Sequence, residues 1–192
     1  VPVGGGVNVR IVGGIFRGRR LKAPEGALTR PTSEKVREAL FDILGTGVKD
    51  SLFVDLFAGT GAVGLEALSR GAGRAILVEA KGPGLASLRW NADSLAVDPD
   101  RCRILPVPVK KALALLGEEG ARPDIVFCDP PYSDERWPAL LAEIGRCLDW
   151  PSGGLLVVEH ASKKAPVCPE GFDVRRSYRY GDTGLTVFEK KG

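Results

Sequence analysis

From residue 33 onward the apolar positions switch repeatedly between a helical period and a strand period. After Thr32 or Ser33, either of which can cap a helix with its hydroxyl, Val36, Leu40, Ile43 and Leu44 fall on one face of a helix that Gly45 and Gly47 end. Beyond it, short apolar runs predict strands at 52–57, 75–79, 103–107, 124–128 and near 154–159, and longer amphipathic stretches predict helices at 62–70, 83–96, 110–117 and 135–148. Strand and helix in regular turn imply a parallel sheet with helices on both faces. The segments 172–180 and 184–189 alternate with period two around Gly181-Asp182-Thr183-Gly184, the pattern of a hairpin that adds an antiparallel edge. Residues 1–9 are rich in Gly and Val and are expected to be mobile, and residues 10–22 read as a short hairpin or extended arm. The expected fold class is α/β and Rossmann-like: a mostly parallel seven-stranded sheet closed by an antiparallel C-terminal hairpin. Residues 1–30 form an N-terminal basic arm and residues 31–192 the main domain.

Composition narrows this only in part. The chain has 192 residues, 44% of them hydrophobic, which suffices for one core and not for two full domains. No apolar run reaches membrane-spanning length, and no export leader pattern opens the chain, so the cytoplasm is the expected compartment. Cys102, Cys128, Cys147 and Cys168 show no C-x-x-C spacing, and the lone His160 gives them no zinc partner set; reduced thiols and no metal are expected. His160 itself reads as a polar strand terminus. A net charge of +3 is too small to argue for nucleic acid, but the charge is unevenly placed. Arg10, Arg17, Arg19, Arg20 and Lys22 have no acid among them and are interleaved with glycines, which allow close approach to a phosphate backbone; Arg30 is a more distant member. The alternative is a solvated hairpin.

The chemistry concentrates at two strand ends. Phe53-Val54-Asp55-Leu56-Phe57-Ala58-Gly59-Thr60-Gly61-Ala62-Val63-Gly64 reads as a strand, a glycine turn and a helix start, where a ligand can reach the backbone at a helix N-terminus. Gly59-x-Gly61-x-x-Gly64 matches the dinucleotide fingerprint, and Glu79, at the end of the next strand, stands where an acid would hold ribose hydroxyls. NAD, FAD and S-adenosylmethionine all use such a turn. Asp55 favours the last, because a carboxylate just before the glycines suits a cationic amino group and would repel a pyrophosphate. Its alternative role is a buried strand-end acid that caps the turn.

The second site is Asp129-Pro130-Pro131-Tyr132, directly after the apolar run Ile125-Val126-Phe127-Cys128. Two prolines lack N–H groups and end strand pairing, leaving the Asp129 carboxylate and the Pro130 carbonyl as acceptors beside the aromatic face of Tyr132. That set suits an aromatic amine, with Tyr132 stacking on its base. The bland alternative is a Pro-Pro loop with Asp129 as a turn former.

D-x-F-A-G-T-G followed by D-P-P-Y resembles the methyltransferases that act on exocyclic amino groups of adenine, cytosine or guanine. Further matches are Arg10-Ile11-Val12-Gly13-Gly14, Phe16-Arg17-Gly18-Arg19-Arg20-Leu21, Arg30-Pro31-Thr32, Val36 to Leu44, Gly64-Leu65-Glu66-Ala67-Leu68-Ser69-Arg70-Gly71 and Tyr180-Gly181-Asp182-Thr183. With these the chain is similar to the bacterial RsmD family over about Arg10 to Lys190. The resemblance implies a class I methyltransferase fold and S-adenosylmethionine as cofactor. It implies methyl transfer to N2 of one guanine in 16S rRNA, with the small ribosomal subunit or its assembly intermediate as partner and a monomer as the working form. It places the cofactor on Asp55, Phe57, Ala58, Gly59, Gly61 and Glu79, the acceptor base on Asp129, Pro130 and Tyr132 with Asp129 bordering both, and RNA on the basic arm. One departure is Lys111 before Ala112, where the family usually has Asp or Asn; backbone groups are the expected partners of the cofactor adenine there. The rival readings are an amino-methyltransferase of another nucleic acid, such as an adenine-N6 DNA methylase, and a nucleotide-binding Rossmann protein. The first normally needs a large target-recognition region, and this chain offers a short arm.

Overall fold

The computed structural model describes residues 9–24, 33–130 and 137–192. Pro131, Tyr132, Arg30 and the capping candidate Thr32 lie outside the described residues. The described residues begin with an antiparallel pair, β1 (Val9–Arg10) and β2 (Arg20–Leu21), and continue with α1 (Glu34–Leu44), β3 (Leu52–Asp55), α2 (Ala62–Ser69) and β4 (Arg74–Val78). There follow α3 (Pro83–Ser94), β5 (Cys102–Leu105), α4 (Val109–Glu118), β6 (Ile125–Cys128), α5 (Trp137–Cys147), β7 (Leu155–Ala161), β8 (Phe172–Tyr180) and β9 (Thr183–Lys190). Seven strands form one sheet in the order β5-β4-β3-β6-β7-β9-β8. The first five are mutually parallel, and β9 runs antiparallel to both its neighbours.

Strand alternation divides the core into two layers. Phe53, Leu77, Ile125, Phe127 and Val157 meet α1, α2, α3 and the hairpin on one face. Val54, Ile76, Val126, Leu156 and Val158, one residue out of phase, meet α4 and α5 on the other. The strands are buried on both faces because helices cover both, which is why they read as continuous apolar runs. β8, the outer edge, is the exception: its exposed Arg175, Arg176 and Arg179 and a register shift between Val174 and Arg176 discourage pairing with another sheet.

Element ends follow local chemistry. The Ser33 hydroxyl accepts from the Val36 N–H at 3.3 Å and caps α1; Gly45, at φ 53°, stops it by donating its N–H to the Phe41 carbonyl. The predicted strand 52–57 pairs only over 52–55, because Leu56 turns to bond Phe127 across the sheet and the glycine turn begins. His160 spans the junction between β7 and β9, with its ring nitrogens 2.9 Å from the Ala161 carbonyl and 2.9 Å from the Thr186 hydroxyl. It is a buried structural group, as its position at a strand end suggested. The four cysteines are free, and burial pushes the Cys128 thiol well above its ordinary value.

The basic arm does not stand apart. Val9, Ile11 and Leu21 are buried in the same apolar layer as Phe53 and Leu65, so the boundary near residue 30 divides the sequence and not the core. What fastens the arm is polar and was not legible as such. Arg37, on the apolar face of α1, and Glu66, inside α2, are both fully buried and paired at 2.9 Å. Glu66 also accepts from the Val12 N–H at 3.2 Å and pairs with Arg70 at 2.8 Å, while Arg37 donates to the Arg10 carbonyl. The Ser69 hydroxyl donates to the Gly13 carbonyl at 2.6 Å and accepts from the Phe16 N–H at 2.9 Å. Gly14 lies so close to α2 that a Cβ there would fall 1.9 Å from the Ser69 carbonyl oxygen.

Candidate active site

The sheet order reverses between β3 and β6, and in open α/β sheets ligands bind outside the carboxyl ends of the strands at such a point. β3 ends at Asp55 and β6 at Cys128, with Asp55 opposite Phe127 in register; Asp129 follows two residues beyond that pairing. β4 ends at Val78, with Glu79 next in chain. Three carboxylates therefore leave three adjacent strands, in the sheet order Glu79, Asp55, Asp129.

The glycine turn is tied to both neighbours: the Leu56 N–H donates to the Phe127 carbonyl at 3.0 Å and the Ala58 N–H to the Val78 carbonyl at 2.9 Å. Each fingerprint glycine has its own reason. Gly59, at φ 53°, would direct a Cβ into open space, so the turn presents bare backbone on its outer side. Gly61, at φ 83°, is the N-cap of α2, and a Cβ on it would meet Leu88 at 2.4 Å. Gly64 lets α2 settle onto β4; its Cβ would stand 1.9 Å from Leu77.

Glu79 is bonded to that turn, its Oε2 accepting from the Gly59 N–H at 2.7 Å. Its Oε1 is the other half of a fork, and Gly84 is what keeps it clear, since a Cβ at residue 84 would lie 3.2 Å from it. Partial burial raises the Glu79 pKa, and the bond from Gly59 opposes the rise. A carboxylate with one oxygen anchored and its partner clear suits two vicinal hydroxyls.

Asp55, the acid expected near a ligand's amino group, is held against the turn itself. It is 1% exposed, and its oxygens accept from the Phe57 N–H at 3.3 Å and the Gly64 N–H at 3.2 Å. It thus braces both ends of the glycine turn. Burial dominates its titration and lifts its pKa from 3.8 to about 7, against the lowering effect of the two backbone bonds. A pKa raised on folding gives a stabilising contribution that is complete below pH 3.8 and is lost as pH rises toward 7. Over that window wild-type stability should fall relative to Asp55→Asn by about 1.4 kcal/mol per pH unit. Urea titrations of both proteins at a series of pH values between those limits measure the difference; identical slopes would sink the assignment.

Asp129 is half-buried and Pro130 buried, and the Cys128 thiol before them senses the negative charge of both Asp129 and Asp55. Of the other expected residues, Phe57 is half-buried and Ala58 buried in the turn, and Lys111 is exposed on the first turn of α4. The arm cations Arg10, Arg17, Arg19, Arg20 and Lys22 are all exposed. Arg10 pairs with Glu34 at 3.1 Å and Arg19 donates to the Ser94 carbonyl at 2.7 Å.

One residue of the site went unread in the sequence. Asn91 on α3 is fully buried; its Nδ2 donates to the Thr60 carbonyl at 2.8 Å and to the Lys22 carbonyl at 3.0 Å, and its Oδ1 accepts from the Lys22 N–H at 2.7 Å. A single amide joins the end of the basic hairpin to the middle of the glycine turn. The available signal was a carboxamide amid the buried positions Leu88 and Leu95, one helical turn to either side.

Known proteins with this sequence pattern point the same way. Over 187 residues the chain is 33% identical to the putative rRNA methyltransferase YlbH of Bacillus subtilis, covering 96% of this chain and 100% of that protein. It is also 33% identical to ribosomal RNA small subunit methyltransferase D of Escherichia coli, covering 97% and 92%. Among solved structures, a putative methyltransferase, yhhF, from Escherichia coli superposes with a TM-score of 0.82 at 31% identity, over 96% of this chain and 98% of that one. The family model described as Conserved hypothetical protein 95 matches residues 9–189, and the chain belongs to that family, the RsmD family of methyltransferases.

Proposed function

We propose that this protein transfers the methyl group of S-adenosylmethionine to the exocyclic N2 of a guanine in 16S rRNA, within a small ribosomal subunit or its assembly intermediate. The observation that carries the reading is the set of three carboxylates at the sheet reversal, two of them bonded to a glycine turn and the third opening Asp129-Pro130. The donor set fits the cofactor. Glu79 offers a clear oxygen for ribose hydroxyls and Gly59 offers bare backbone, while buried Asp55 holds the turn in shape. The bound cofactor supplies an electrophilic methyl on a sulfonium.

Everything else is the work of the chain. The guanine N2 lone pair is delocalised into the ring and is a poor nucleophile at rest. Asp129 and the Pro130 carbonyl accept its two N–H bonds, orient the lone pair toward the methyl group and stabilise the positive charge that grows on nitrogen. Asp129 and the Pro130 carbonyl would hold the nitrogen while it is methylated, and the methylated nitrogen would then give its proton to Asp129 or to solvent. Tyr132 stacks on the extruded base. The similarity to small subunit methyltransferase D of Escherichia coli favours ribosomal RNA over DNA as the acceptor.

A tritiated-methyl transfer assay tests the reading, using small subunits and naked 16S rRNA from cells that lack the family enzyme. N2-methylguanosine in the digested product is the expected result; N6-methyladenosine, or no transfer to either substrate, would overturn it.

The basic hairpin is the RNA-positioning surface in this proposal. Phosphate contacts add affinity without naming bases and release counterions as they form. Neutralising Arg17, Arg19 and Arg20 together is therefore expected to raise KM for the particle and to flatten the slope of log affinity against log salt, with cofactor affinity unchanged. A filter-binding salt titration giving the wild-type slope would reduce the cluster to a solvated surface.

A further inference from the structure

Trp90 is the one large aromatic side chain that the described residues leave half in water, at 50% exposure. An indole usually buries most of its surface, and Trp150 shows the ordinary case: 7% exposed, packed edge-on against Phe172, with its N–H donated to the Ile144 carbonyl. Trp90 instead lies on the outer side of α3, where the basic hairpin ends. The Lys22 ammonium stands 5.9 Å from its ring centroid, and Arg19 reaches the Ser94 carbonyl one turn further along the same helix. Arg89 is exposed beside it, with Asp93 as the acid on that stretch.

The placement of this pair is fixed. Asn91, next in chain to Trp90, holds both backbone groups of Lys22 and the Thr60 carbonyl of the glycine turn. Side chains of a helix lean toward its N-terminus, which in α3 lies beside Glu79, and Ala86, one turn before Trp90, is small and exposed. A half-exposed indole with an ammonium loosely over its ring and a guanidinium one turn away, on a helix tied to the glycine turn, matches the chemistry of an unpaired nucleotide: the base takes the place of the ammonium on the ring, and the displaced ammonium and the guanidinium meet its phosphates.

We propose that Trp90, with Lys22 and Arg19, forms a stacking subsite for an unpaired nucleotide of the RNA substrate, outside the target-base pocket and held in register with it by Asn91. This rests on the reading of the hairpin as an RNA surface. The test measures binding of a fluorescein-labelled unpaired oligoribonucleotide, and of the same sequence as a full duplex, to wild type, Trp90→Ala and Trp90→Phe over a range of salt. Trp90→Ala is expected to weaken the single strand by about fivefold to a hundredfold, to leave the duplex unchanged and to keep the wild-type salt slope, because stacking releases no counterions. Trp90→Phe should restore most of the loss. Wild type that binds the strand while Trp90→Ala binds it equally well overturns the subsite alone, as does a loss accompanied by a flattened salt slope, which would mean that only the Lys22 charge had been displaced. Wild type that binds neither RNA overturns the RNA reading of the hairpin and the subsite with it.

Discussion

Replacing Asp129 with alanine is expected to lower kcat by on the order of a hundredfold or more while leaving the affinity for S-adenosylhomocysteine within a few-fold of wild type. The separation follows from where the side chain stands. Glu79 and Asp55 are engaged with the glycine turn through the Gly59, Phe57 and Gly64 N–H groups, whereas Asp129 follows β6, a strand on the far side of β3 from β4. Removing it leaves the turn and both its braces intact. In the proposed mechanism what disappears is the acceptor that stabilises charge on the attacking nitrogen, an interaction that grows in the transition state and so appears in kcat. Asp129→Asn keeps one carbonyl acceptor at the same position and should retain more activity than the alanine variant. Calorimetry alongside single-turnover methyl transfer separates the two quantities. A folded Asp129→Ala protein that no longer binds the cofactor product would place the residue in the cofactor site and remove it from the base site.

The second large effect is on stability. Glu66→Ala should destabilise the protein by about 3–5 kcal/mol, because it leaves the Arg37 guanidinium fully buried without its counter-charge. For a chain of this size that is a fall in Tm of roughly 6–20 °C. The loss is compounded by the bonds Glu66 makes to Arg70 and to the Val12 N–H, the latter one of the ties between the hairpin and α2. An apolar pair behaves otherwise. Taking two charges out of water costs nearly as much as their attraction returns, so the double variant Arg37→Met, Glu66→Leu should lose less than either single change. Urea unfolding of the three variants gives the comparison. Single substitutions that cost under about 1 kcal/mol, or a double variant equal to the sum of the singles, would show that the buried pair does not organise this layer.

The elements were legible because their apolar periods are undiluted. Val54, Val126 and Val158 alternate with Phe53, Phe127 and Val157, and the two sets line opposite faces of the sheet. The pairing of β8 with β9 around Gly181 was equally local, a property of a turn and its flanking pattern. The glycine turn and the end of β6 before Asp129-Pro130 were legible as places in the fold, because close approach and absent N–H groups leave a residue-type signature at fixed spacing.

The polar interior was not readable in the same way. Arg37 looked like one more charge on an amphipathic helix, and Glu66, Ser69 and Asn91 like incidental polar residues. Their roles depend on partners 29, 53 and 69 positions away in the chain, for Arg37 with Glu66, Ser69 with Phe16 and Asn91 with Lys22. Asp55 was legible as important and ambiguous in role, since a carboxylate before a glycine turn can face a ligand or bind the turn itself; only the position of Gly64 after folding places its N–H on the Asp55 oxygen.

By itself, then, the sequence determined the order of strands and helices, the two chemical strand ends and the basic character of the hairpin, because each rests on residue types within one turn or one strand. The tertiary structure decided that the hairpin shares the main core, that Asp55 braces the turn and that Asn91 joins the hairpin to it. Such contacts arise only when chain segments far apart in sequence are packed too closely for water to satisfy their polar groups, so that they must satisfy one another.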